Sequence, residues 1–179
     1  DIKTVVTDSG EYECRAVIIA TGAKHRLPGI ENEESYIGNG ISFCAVCDGS
    51  FFAGKKVAVI GGGNTALQEA VMLSDICTKV YVVQNLDFLT GEIKLQNELE
   101  KRENVEIILS SVVSKILGQD KFEGIELNNN GQLQNLVCDG VFVAIGQIPD
   151  NKAFADLVDI DKDGYIIAGE DCKTKTEGL

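Results

Sequence analysis

The sequence predicts an α/β chain built around a Rossmann-like, three-layer nucleotide-binding domain that carries an antiparallel meander. Three observations predict it. Lys56–Ile60 is a short apolar run that leads into Gly61-Gly62-Gly63 and then into helical spacing, the opening of a βαβ unit. Further short apolar runs, at 15–20, 79–83 and 141–145, read as strands buried in a sheet. Between Val112 and Val137 the pattern changes to short alternating segments separated by polar turns, which is the signature of hairpins.

The elements follow in order. Arg15 to Ala20 reads as a buried strand ending at Thr21-Gly22. Lys24 to Gly40 is polar and contains Pro28, Gly29, Gly38 and Gly40, the composition of a loop and a candidate domain crossing. Lys56–Ile60 is a strand and Gly61–Gly63 a tight turn. Asn64–Asp75 is a helix with Ala66, Leu67, Ala70, Val71 and Leu73 as its apolar stripe, and Lys79–Val83 is the next strand. Glu92–Arg102 reads as a helix and Val105–Leu109 as a strand. Gly118-Gln119-Asp120 and Asn128-Asn129-Asn130-Gly131 punctuate the meander. Val141–Ile145 returns as a buried strand before Gly146. The tail from Asp150 is acidic and loop-rich, with a strand at Tyr165–Ile167.

Composition narrows the function. The 179 residues are 44% hydrophobic, with 19 glycines against two prolines, which fits a compact α/β protein better than a linker. A net charge of −12 and a pI near 4.5 repel a phosphate backbone, so nucleic acid is not an expected partner. No apolar run approaches the ~18 residues of a membrane span, and Asp1–Thr4 shows no basic-then-apolar leader pattern. The six cysteines are too scattered for a small secreted framework, and a cytoplasmic location is expected. Cys14, Cys77, Cys138 and Cys172 stand singly, and most of them are expected to be small buried hydrophobes.

Two motifs carry chemistry. In Gly61-Gly62-Gly63-Asn64-Thr65-Ala66, the first glycine permits the turn, Gly63 lets backbone approach a pyrophosphate, and Ala66 allows close helix–strand packing. The helix N-terminus offers free N–H groups to phosphate. The bland alternative is a glycine turn that merely packs. In Cys44-Ala45-Val46-Cys47-Asp48-Gly49, two thiols two residues apart suit a reversible disulfide, and Asp48 is placed to move a proton. Two unremarkable cysteines, or half a zinc site, are the competing readings. There is no second C-x-x-C and His25 is the only histidine, so no metal is expected.

Ala20-Thr21-Gly22-Ala23, the segment Ser42 to Gly49, Val57 to Ala66, and Ala144-Ile145-Gly146 together resemble bacterial-type thioredoxin reductase in order and spacing across essentially the whole chain. The resemblance implies a flavin-dependent thioredoxin-disulfide reductase, a homodimer in its complete form, that carries FAD and takes electrons from NADPH or NADH. It implies that Cys47 faces the flavin, that Cys44 attacks the thioredoxin disulfide, and that Asp48 donates the proton. Gly61, Gly62, Gly63, Asn64, Thr65 and Ala66 would hold a pyridine nucleotide, Thr21 and Gly22 would lie beside FAD, and Ile145 and Gly146 complete the cofactor-binding set. Residues 1–37 and 147–179 would be parts of an FAD domain flanking a nucleotide domain at 38–146. Hinges are expected near Ile37–Gly40 and Gly146–Gln147.

The chain departs from that pattern in three ways. The FAD domain's own glycine fingerprint and its Gly-Asp motif are both missing, so the chain is expected to be a central segment, with FAD held by the complete protein. Where the family carries a basic H-R-R-x-x-x-R patch for the 2′-phosphate of NADPH, this chain reads Gln84-Asn85-Leu86-Asp87-Phe88-Leu89-Thr90. No strong preference for NADPH over NADH is therefore expected. Some reductases of this kind take electrons from ferredoxin and have degraded nucleotide motifs, which keeps a ferredoxin-dependent enzyme as an alternative. A nucleotide-binding module without activity, and a flavin-linked peroxide-reductase partner, are the other readings.

Overall fold

Apolar strands in a βαβ unit need partners at their edges and cover on both faces. In the computed structural model, which describes residues 2–179, residues 2–24 and 147–179 form one unit and His25–Gly146 form another. The first unit opens with an antiparallel hairpin of Lys3–Thr7 (β1) and Gly10–Cys14 (β2), with Thr7 opposite Gly10. The Thr7 hydroxyl donates to the Gly10 carbonyl and accepts from the Ser9 N–H, closing the turn. Arg15–Ala20 is not the strand that its composition predicts. The Val17 N–H donates to the Gly178 carbonyl, but among the described residues no strand lies beside the segment, and Ile18 is 91% exposed. An apolar run becomes a strand only where neighbouring backbone completes its hydrogen bonds. Ala23–His25 (β3) leads to the first crossing between units.

The second unit contains Ile41–Ser42 (β4), helix Ala45–Asp48 (α1), Lys56–Ile60 (β5), helix Asn64–Ser74 (α2), Lys79–Val83 (β6), helix Ile93–Leu99 (α3) and Val105–Ile108 (β7). The meander follows as Val112–Leu117 (β8), Gly124–Asn129 (β9) and Gln132–Val137 (β10), and Gly140–Val143 (β11) ends the unit's strands. The parallel sheet has the order β4-β11-β5-β6-β7. Its residues alternate strictly between two cores. Val57, Val59, Val80, Val82 and Phe142 face Ala66, Leu67, Ala70 and Leu73 of α2 and Leu99 of α3. Ala58, Ile60, Val83, Val141 and Val143 face Ile116, Ile125, Leu127 and Leu136 of the meander. The three layers are thus helices, parallel sheet and antiparallel sheet.

Local chemistry fixes the ends of these elements. The β9–β10 turn has both central residues at positive φ, Asn130 at 50° and Gly131 at 92°, as a two-residue hairpin requires, and the Asn128 side chain accepts from the Gly131 N–H. Asn104 donates to the carbonyls of Ser74 and Cys77, satisfying the open C-terminus of α2. α3 is shorter than the predicted 92–102: Leu99 is its buried residue, Leu95 packs partly against the same core, and the helix ends at Leu99.

The unit begins at His25, not at 38. Ile30 and Tyr36 pack against the meander-side core, the Tyr36 hydroxyl donates to the carbonyls of Gly118 and Gln119, and the Glu33 carboxylate accepts from the N–H groups of Gly29 and Ile30. Two apolar anchors outweigh the polar composition around them, so the segment 25–40 is a packed strap and Ile37–Gly40 is not a crossing. The second crossing falls at Gly146/Gln147. Beyond it, Gln147–Pro149 (β12) and a short turn at Lys152–Phe154 precede a tail whose one fully buried hydrophobe is Val158. The strand expected at Tyr165–Ile167 reduces to a single bridge between Ile160 and Ile166. Among the described residues no helix is long and apolar enough to cross a membrane.

Candidate active site

β4 delivers the chain to the first motif. Cys44 stands in extended conformation as the cap of α1, and its sulfur accepts from the Cys47 N–H. Cys44 and Cys47 are joined as a disulfide. Ala45, between them, is buried in the helix-side core, which anchors the turn, whereas Val46 is 83% exposed. Cys47 is exposed and Cys44 half-buried. Asp48 ends α1, and its Oδ2 accepts a 2.6 Å hydrogen bond from the Ser42 hydroxyl. The same hydroxyl oxygen accepts from the Cys44 N–H at 3.1 Å.

A second carboxylate backs the turn from below. Glu69 of α2 accepts from the Ala45 N–H through Oε1, while its Oε2 is buried without a protein partner. Burial pushes the Glu69 carboxyl above its ordinary range, partly offset by the bond from Ala45.

The glycine motif builds a different place in the same unit. A cleft of about 660 Å³ runs along the C-terminal ends of β5, β6 and β11, walled by Gly61–Thr65, Val83–Leu86 and Ala144–Gly146. This is where a parallel α/β sheet offers its ligand site. A Cβ on Gly61 would stand 2.4 Å from the Ala144 carbonyl oxygen and 3.2 Å from the Ala66 Cβ. Only glycine fits there. Ala66 itself is fully buried, so it packs helix on strand and does not line the cleft. Gly63 caps α2 with no side chain over the helix N-terminus, leaving that end open to an anion. Asn64 is tied to Glu92, accepting its N–H and donating to its carboxylate.

The end of β6 carries no charge into this cleft. Gln84 is buried, donating to the Phe88 carbonyl and accepting from the Asn85 N–H, so it braces the loop where an acid or a cation would read the ribose. Arg26 is the one cationic side chain on the wall among the described residues. It lies far upstream of the glycine turn in sequence, and nothing local marks it. Lys79, one conceivable substitute for the missing cations, is paired with Glu106 and stands over Tyr81 at the opposite end of β6. Lys94, the other, is not on the wall.

Thr21 and Gly22 lie in the first unit. The Thr21 hydroxyl donates to the Asn151 side chain, and Gly22 has φ 72° with open space where a side chain would stand. The remaining cysteines are free. Burial, with Asp139 adding to it, pushes the Cys77 thiol to about 11 and the Cys138 thiol to about 12, far from a reactive thiolate. Cys14 is half-buried, and Cys172 is exposed rather than packed. Among the described residues no three His, Cys, Asp or Glu side chains gather as a metal site.

The family described as pyridine nucleotide-disulphide oxidoreductase matches residues 1–179. The chain belongs to this family. Within it, the chain is 42% identical over 167 residues to a thioredoxin reductase of Coxiella burnetii, covering 90% of this chain and 52% of the relative. It is 40% identical to a thioredoxin reductase of Listeria monocytogenes, covering 100% of this chain and 57% of the relative. The fold overlays on the thioredoxin reductase of Lactococcus lactis in its FR conformation with a TM-score of 0.89 and 34% identity, over 99% of this chain and 60% of that one. The chain thus spans between half and two thirds of the length of these three proteins.

Proposed function

We propose that the complete protein is a cytoplasmic, homodimeric thioredoxin-disulfide reductase that works through Cys44 and Cys47. The observation that carries this reading is the Cys44–Cys47 disulfide on an anchored turn, with Asp48 held beside it by Ser42, in a unit that also bears a dinucleotide-type cleft.

In the dithiol state, the Cys44 thiolate attacks one sulfur of the thioredoxin disulfide. That S–S bond breaks, a mixed disulfide forms, and the departing thiolate takes a proton for which Asp48 is the donor. The Cys47 thiolate then attacks the Cys44 sulfur, releasing dithiol thioredoxin and restoring the Cys44–Cys47 disulfide. Two electrons and two protons pass from the pair to thioredoxin. Cys47 is the more exposed of the two and Cys44 is half-buried.

FAD, when bound by the complete protein, supplies the two electrons that reopen the disulfide. Gly22, with open space beside its backbone, suits the close approach of such a cofactor, and Thr21 flanks it. Gly61–Thr65, Ile145 and Gly146 would hold a pyridine nucleotide, with its pyrophosphate at the open end of α2. The uncharged end of β6 favours a second reading, in which ferredoxin supplies the electrons and the cleft is vestigial.

Insulin reduction through thioredoxin by the full-length protein tests the first claim. Catalysed turnover is expected, and its absence with every candidate donor overturns the reading. Thiol counting before and after a mild dithiol tests the pair itself, with two additional accessible thiols expected after reduction.

A further inference from the structure

We propose that Ser42 is the positioning residue of the redox turn, one hydroxyl that sets the proton-donating carboxylate and the backbone of the first cysteine together. The proposal rests on the disulfide-exchange reading above and adds a residue to it.

A serine hydroxyl has one proton to donate and lone pairs to accept with. Here both are used on the same turn. The proton goes to Asp48 Oδ2 at 2.6 Å, and the oxygen receives the Cys44 N–H at 3.1 Å. The two partners flank the reacting sulfurs, one at each end of the C-x-x-C segment. Ser42 is itself nearly inaccessible, at 6% exposure, and its backbone is locked in the parallel ladder opposite Phe142. A donor on a rigid strand holds its acceptor far more tightly than one on a loop. Neither bond has a sulfur atom as a partner. Ser42 therefore keeps Asp48 in register with a leaving thiolate while the cysteines change bonding. Glu69, the other carboxylate hydrogen-bonded to the turn, contacts Ala45 and is untouched by changes at Ser42.

The test uses the full-length protein and four variants: Ser42→Val, Ser42→Thr, Asp48→Asn, and Ser42→Val with Asp48→Asn. Valine and threonine have the same shape and differ in the hydroxyl, so the comparison separates hydrogen bonding from packing. Ser42→Val is expected to lower kcat for thioredoxin about tenfold relative to Ser42→Thr, with KM unchanged, since a loosened catalytic group costs this order of rate. In the Asp48→Asn background, Ser42→Val is expected to cost less than it does in the parent, since only the bond from the Cys44 N–H is left to lose. A second readout needs no thioredoxin: the pH dependence of iodoacetamide alkylation of the reduced pair. It is expected to shift in Ser42→Val relative to the parent, and to stay put in Ser42→Thr.

Kinetic losses that multiply in full, or an alkylation profile of Ser42→Val that superimposes on that of Ser42→Thr, overturn the proposal and leave Ser42 as a packing residue. If the parent protein does not reduce thioredoxin, the functional reading fails, and the alkylation profiles still decide the link between Ser42 and Asp48.

Discussion

The redox turn and the dinucleotide cleft belong to one unit and are built from opposite materials. The turn is made by side chains: two sulfurs, a carboxylate and the serine that bonds it. The cleft is made by backbone: three glycines, an open helix end and the ends of parallel strands. At the turn a disulfide and a bonded carboxylate stand on one short segment. At the cleft the frame is complete, but the side chains that would discriminate one nucleotide from another are uncharged. A backbone frame survives substitution at the positions that give it specificity, whereas a reacting turn loses everything with one sulfur.

The largest expected effect sharpens that contrast. Replacing Cys44 or Cys47 by serine is expected to reduce thioredoxin turnover by the full-length protein to background, while the Cys47→Ser form accumulates a mixed disulfide with thioredoxin on a non-reducing gel. Asp48→Asn is expected to slow kcat about 100-fold with an unchanged melting temperature. A kcat equal to the parent's would make Asp48 structural.

The cleft is expected to respond more weakly. Calorimetric titration is expected to give NADPH and NADH affinities within tenfold of each other, because several charge-assisted bonds worth roughly 1.5–3 kcal/mol each are missing. Arg26→Ala is expected to weaken both by about fivefold, the worth of one exposed ionic contact. Tight NADPH binding with much weaker NADH binding would break the comparison. Weak binding of both would favour ferredoxin as the donor.

Two smaller effects lie outside both sites. Cys77 and Cys138 are expected to resist iodoacetamide at pH 8 in the native protein, read by mass spectrometry. Their folded-state pKa values, about 11 and about 12, exceed the ordinary 9. The unfolded chain therefore releases these protons first, and their contribution to stability is present below about pH 9 and lost as pH rises towards 12. Gly131→Ala is expected to destabilise the second unit by about 1 kcal/mol, because φ of 92° suits glycine alone, and chemical denaturation reads it.

Much of the second unit was legible in its sequence because its determinants are local. Strand β5, its glycine turn and α2 announce themselves within twenty residues, and Asn-Gly at 130–131 fixes the hairpin by turn chemistry. What escaped the sequence depends on distant partners. Arg15–Ala20 has the composition of a strand, but among the described residues no strand lies beside it. Ile30 and Tyr36 bind a polar segment into the core through contacts with β8 and the following loop. In the site, the cysteines, Asp48 and the glycines carry spacing that can be read. Ser42, Glu69 and Arg26 do not, since each becomes meaningful only when folding brings it against atoms from elsewhere.

Helix α2 ties the two places together. Its first residues border the cleft, and Glu69, further along the same helix, is bonded to the backbone between the cysteines. From Gly63 to Glu69 the rise is roughly 9 Å, and no hinge interrupts it. The helix is a girder with one berth at its first turn and the other at its middle. A ligand at one berth and a partner at the other would keep a fixed spacing.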